Sequence, residues 1–166
     1  AINLYYWENV TIQNCNLYYS YSVLDYPNQP HDDIFMLYYG KNVIIRNNKI
    51  YGVHVEGIYF EDSCSEVYVY NNVFYQPEGY VGAGCGVGVG GGHALTNFYV
   101  YNNIFDGFSV AVENNNAGST GSIQNNIFIN NTTDLLIASS VGITHDYNAM
   151  DGTNTETHGV GSVATS

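Results

Sequence analysis

Positive charge is what this chain lacks most. Lys41, Arg46 and Lys49 are its only Lys or Arg residues, against 15 Asp and Glu, so the formal net charge over 166 residues is −12. A surface this acidic argues against nucleic acid and anionic membranes as partners, and weakens the case for a polyanionic substrate unless metal ions screen the charge. Cysteine is scarce as well. Cys15, Cys64 and Cys85 make an odd count with no metal-ligand spacing, and read as buried or unpaired thiols. No apolar run is long enough to span a bilayer, and no stretch carries useful helical periodicity. The length fits one domain. With 17 Tyr, 18 Gly and almost no Lys, the composition points to an extracellular or cell-surface setting.

What is present is a repeated phrase. Residues 42–51 read NVIIRNNKIY, alternating apolar and polar before an Asn pair. The phrase returns at 9–17 (NVTIQNCNL), 66–74 (EVYVYNNVF), 97–105 (NFYVYNNIF), 121–128 (GSIQNNIF) and, decayed, 142–149 (GITHDYNA). Its leading Asn falls at 14, 47, 71, 102 and 125, with spacings of 33, 24, 31 and 23 residues. A self-similar period in this range means stacked units, each too small to bury a core alone. Each unit holds short period-two strands and Asn/Gly turns. One coil is therefore a strand, a tight turn, a second strand, an Asn turn, a short third strand and a variable loop. That is an all-β, parallel β-solenoid of about six coils. Asn tolerates the left-handed backbone of a sharp bend, and its amide can bond to the same residue one coil away, about 4.8 Å along the stack. Asn48, Asn72, Asn103 and Asn126 are expected to form an internal ladder headed by Cys15, as scaffold rather than site.

The x-V-x-I-x-N-N-x-I/F phrase, repeated over residues 1–150, resembles the right-handed parallel β-helix of the pectate-lyase-like superfamily. The resemblance implies the right hand of the coil. It also implies polysaccharide chemistry (lyase, epimerase or glycoside hydrolase), with archaeal disaggregatase-like surface proteins a looser likeness. Residues 1–6 align with 34–39, so the chain is expected to start inside a coil, short of N-terminal coils or a cap. Residues 151–166 have turn composition and no repeat.

Loop lengths shape a groove. Long loops at 18–33 and 75–86 flank a short one at 52–57. The floor is expected from outward residues of the first strand in each coil: Phe35 and Leu37, Tyr59 and Glu61, then the Gly run at 88–92, where a ligand can approach the backbone. In pectate-lyase-like enzymes the substrate groove lies on this side. The densest titratable group is His31, Asp32, Asp33, His54, Glu56, Glu61 and Asp62. A 24-residue register puts Asp32 beside Glu56, Asp33 beside Gly57 and Leu37 beside Glu61. Adjacent acids repel, so such a pair shares a proton or a cation. A shared proton suits acid–base work on a glycoside, with Asp33, Glu56 and Glu61 as candidates. A shared cation suits calcium on Asp32, Asp33, Glu56 and Asp62. Solvated loop acids without a role are the third reading.

The stretch His31-Asp32-Asp33-Ile34 resembles the segment leading into the first strand of several β-helix lyases and epimerases. In that chemistry His31 or His54 is the base, with Tyr59 or Tyr80 as acid. Many relatives use Lys or Arg there, whereas all three cations of this chain lie between 41 and 49, with Arg46 pointing away from the groove. A second feature is a two-by-two group of outward tyrosines, Tyr68, Tyr70, Tyr99 and Tyr101. It reads as a sugar platform, a protein contact or ordinary strand filling. The function expected is thus processing or binding of a polysaccharide or cell-surface glycan. Its rival is a structural or adhesive surface module, or a filament subunit assembling through its solenoid ends.

Overall fold

The computed structural model describes residues 2–18, 33–77, 84–90, 92–114, 116, 118–137, 142–151 and 163–164. The first coil holds β1 (Ile2–Gln13) and β2 (Asn16–Tyr18), the second β3 (Phe35–Arg46) and β4 (Lys49–Tyr51). The third is β5 (Glu56–Phe60), β6 (Cys64–Tyr70) and β7 (Val73–Tyr75), and the fourth is β8 (Cys85–Val89), β9 (Thr96–Tyr101) and β10 (Ile104–Asp106). The fifth is β11 (Val110–Asn114), β12 (Gly121–Gln124) and β13 (Ile127–Ile129), and the sixth is β14 (Thr133–Ile137), β15 (Ile143–Asp146) and β16 (Ala149–Met150). A last strand, β17 (Val163–Ala164), falls in the segment read as a non-repeating tail and pairs in parallel with β16.

All pairings among the described residues are parallel, and they make a three-faced solenoid. Face one stacks the leading halves of β1 and β3, then β5, β8, β11 and β14. Face two stacks their trailing halves, then β6, β9, β12 and β15. Face three stacks β2, β4, β7, β10, β13, β16 and β17. One bent strand spans faces one and two in the first two coils, which is why hydrogen bonding joins those faces into a ten-stranded sheet.

Two corners explain the phrase. Its first residue bends the chain in the left-handed region at Asn9, Asn42, Glu66 and Asn97, with φ of 57°, 54°, 55° and 57°. The first Asn of each pair does the same at Asn14, Asn47, Asn71, Asn102 and Asn125, with φ from 55° to 58°. The second Asn of the pair turns inward. Asn48 donates to Asn72, Asn72 to Asn103 and Asn103 to Asn126, each at 3.0 Å, and Asn126 donates to Asn148 at 3.1 Å. Cys15 heads the column, its N–H donating to the Asn48 Oδ1 at 3.0 Å. The two Asn of each pair thus divide the work: one supplies backbone conformation, the other hydrogen bonds.

Apolar side chains fill the interior in columns. Leu37, Phe60 and Val89 line face one, and Ile45, Val69, Val100 and Ile123 line face two; all are buried. On face three Phe74, Phe105 and Phe128 stack at 4.6 and 5.3 Å. Trp7 lies over Gly40, where any Cβ would sit 2.2 Å from the indole. The three cysteines are free, with Cys64 and Cys85 buried at the first positions of β6 and β8.

One expectation is overturned. The 24-residue register holds on face two, where Val43 pairs with Val67, but face one runs at 23, pairing Phe35 with Ile58 and Leu37 with Phe60. The segment 61–63 between β5 and β6 is one residue longer than its counterpart in β3. A one-residue slip reverses every side chain. Phe35 and Leu37 therefore point inward, 2% and 0% exposed, and do not form the groove floor. Asp33, not Asp32, stands opposite Glu56. Residues 19–32 and 78–83 carry most of the two long loops, so those walls, and with them His31, Asp32 and Tyr80, lie outside the described residues.

Candidate functional site

The outward side of face one carries the chemistry. Strand β5 presents Glu56 and Tyr59, and Glu61 follows directly. Pairing of β5 with β8 and of β8 with β11 sets Tyr59, Gly88 and Glu113 in one row across three coils. Gly88 and Gly90 offer no side chains, and their neighbours lean into the space. A Cβ at Gly88 would meet the Glu56 Cγ and the Tyr59 ring at 3.2 Å; one at Gly90 would meet the Tyr59 hydroxyl at 2.6 Å and the Glu61 Oε2 at 3.4 Å. The glycine strip is thus roofed by Tyr59, Glu56 and Glu61 instead of lying open to a ligand.

Asp33 is fully buried, and one of its oxygens accepts the Glu56 N–H at 3.1 Å. The other, Oδ2, and the Glu56 Oε2 are buried with no donor among the described residues. The two carboxyl groups are neighbours in a buried place, where two charges repel, and this favours a neutral Glu56. Burial, then Asp33, then the fields of Glu113 and Glu61 push Glu56 up to about 9 from 4.5. Around this pair, burial and then Glu61 raise the Tyr59 hydroxyl, which is hydrogen-bonded to Glu61. Burial, then Tyr5, push Tyr38 up to about 12. Cys85, in register with Glu56, is fully buried beside Glu56 and Glu113, and its thiol is raised.

Of the residues expected from sequence, Asp33, Glu56, Glu61 and Tyr59 are brought together. His54 sits half-buried in the turn two residues before Glu56. Asp62 lies beyond the corner from Glu61, where it bonds the Tyr39 hydroxyl and pairs with His93 Nε2 at 3.2 Å. Among the described residues, no three His, Cys, Asp or Glu side chains are arranged to hold a metal ion. Tyr68 stacks on Tyr99 at 5.3 Å and Tyr70 on Tyr101 at 4.8 Å, all on face two. Each pair covers its own facing ring surfaces, and Arg46 Nη1 donates to the Tyr70 hydroxyl at 2.9 Å. They form two stacked columns around a corner from the acids.

Sequence reasoning missed Tyr38, Glu113 and His93. Glu113 lies two coils from Tyr59 and reaches the same group only because Gly88 between them has no side chain.

With this geometry in view, one comparison decides the family: the right-handed β-helix region matches residues 1–161. The chain belongs to the right-handed β-helix family. The match fixes the hand of the coil and is consistent with the pectate-lyase-like likeness read from the repeats. No curated protein and no solved structure matches the chain. A β-helix is a scaffold on which unrelated chemistries sit, so the function has to be argued from the site.

Proposed function

We propose that this β-helix is a carbohydrate-processing protein that takes a glycan along face one, with Glu56 as proton donor and Glu61 as base. The observation that carries the reading is the buried Asp33–Glu56 pair, which keeps a carboxylic acid protonated at neutral pH. A glycosidic oxygen needs such a donor at the moment its bond breaks. Glu61 supplies the second carboxyl. The Glu56 Cγ lies over Gly88 and the Glu61 Oε2 over Gly90, so the two side chains share one strip of face one. An acid and a separate base are what hydrolysis of a glycosidic bond requires. Lyase or epimerase chemistry on a uronate fits less well: Lys41 pairs with Glu66, and Arg46 and Lys49 lie on faces two and three, away from these acids. Calcium and His54 are kept as participants to test, and the acidic, Lys-poor composition supports an extracellular or cell-surface setting.

The test is release of reducing ends from a panel of polysaccharides. Glu56→Gln and Glu61→Gln should each lower kcat at least about 100-fold with the circular dichroism unchanged. Full activity in either variant sinks the assignment. A second reading, end-to-end assembly, is favoured by the exposure of Tyr5, Tyr6 and Tyr18 on the first coil. Light scattering that finds only monomers removes it.

A further inference from the structure

We propose that the face-one site selects a cationic glycan, an oligosaccharide of amino sugars with free amines, and rejects uronates; this rests on the glycan reading above. Among the described residues, the groups gathered at the site are acids, phenols and the Cys85 thiol: Asp33, Glu56, Glu61 and Glu113 lie around Tyr59 and Tyr38. All three Lys and Arg side chains are committed elsewhere. Lys41 Nζ lies 3.7 Å from Glu66, Arg46 bonds Gln13 and Tyr70, and Lys49 Nζ is 5.2 Å from the Tyr51 ring centre. A carboxylate on the sugar would meet four acids and no Lys or Arg.

A second observation is independent of that charge count. Asp33 is 0% exposed, yet its Oδ2 has no donor among the described residues, and the same holds for the Glu56 Oε2. Acceptors outnumber donors at the heart of the site. A primary ammonium carries three donors and no acceptor, which is the missing complement. Burial, then the neighbouring Asp33, hold the Glu56 proton in place. A cation brought alongside favours the ionised form, so binding is coupled to release of that proton.

Calorimetry on the full chain at about pH 6, where amines are charged, tests the idea with hexamers of glucosamine, N-acetylglucosamine and galacturonate, and with spermine. The glucosamine hexamer should bind at least about tenfold more tightly than its acetylated counterpart, the worth of one or two favourable charge pairs near a surface. The Glu61→Gln/Glu113→Gln double variant should lose most of that preference. Heats in buffers of different ionisation enthalpy should report proton release, absent in Glu56→Gln. Equal or tighter binding of the acetylated or uronate hexamer overturns the inference and leaves the glycan reading standing. Spermine matching the glucosamine hexamer overturns it in favour of unspecific cation attraction. No binding by any hexamer overturns both.

Discussion

Truncating Asn103 tests whether the ladder, rather than the corner, holds the coils together. Its Oδ1 accepts the Asn72 N–H and the Asn72 Nδ2, both at 3.0 Å. Its own Nδ2 donates to the Val69 carbonyl at 2.9 Å and to Asn126 at 3.0 Å. In Asn103→Ala the Asn72 amide keeps its bond to Ile45, and Asn126 still accepts the backbone N–H of residue 103. The Asn72 backbone N–H loses its acceptor in a buried place, and the Val69 carbonyl loses a donor. One orphaned buried donor costs about 1–3 kcal/mol and each lost bond about 1 kcal/mol net, so the total is about 3–6 kcal/mol. That is a large share of the roughly 5–15 kcal/mol a domain has. The neighbouring Asn102 is the control: it is exposed with φ of 56°, so Asn102→Ala costs only the left-handed strain of about 1–2 kcal/mol, and Asn102→Gly close to none. Urea unfolding followed by circular dichroism reads all three. Equal losses for Asn103→Ala and Asn102→Ala, or less than about 1 kcal/mol for Asn103→Ala, refute the division of labour.

Three further outcomes follow from particular residues. Gly40→Ala should push the indole of Trp7, the chain's single Trp, out of its place, costing about 1–3 kcal/mol and shifting the fluorescence to the red; unchanged emission is the contrary result. Because Glu56 is raised in the folded state, its stabilisation is complete below 4.5 and is lost as pH rises towards about 9. Wild type should therefore lose stability relative to Glu56→Gln across that window, and a constant difference in denaturation midpoint contradicts the raised Glu56 carboxyl. In native alkylation Cys15 should react first, since burial pushes Cys64 up to about 11 and Cys85 well above the usual thiol range; early labelling of Cys64 or Cys85 speaks against this packing.

The sequence carried the fold well because its strongest signal, the Asn pair, is the one the backbone enforces. The left-handed bend and the buried amide column each admit few residues, so both survive as legible letters. Face one was harder. Around residues 34–39 and 58–62 nearly every residue is apolar or aromatic, and both registers bury something plausible. A gapless alignment anchored on the Asn pair carried the wrong register into face one, inverting Phe35 and Leu37 and choosing Asp32 over Asp33. Glu56, Tyr59 and Glu61 were readable because they fall close together, within residues 56–61 of one coil. Glu113 was not, because its partners are met across a glycine.

The inter-coil spacings have a wider consequence. Down faces two and three they agree, at 33, 24, 31, 23 and 22 residues. Down face one they are 33, 23, 29, 25 and 23. The Asn corner is thus a fixed hinge between two faces that index together, while the third is geared separately through the remaining corners. A single residue added or removed at 61–63 can advance face one by one tooth and exchange its inner and outer letters, leaving the ladder in step. A solenoid so divided can trial new sites on one face without renegotiating the spine that keeps it folded.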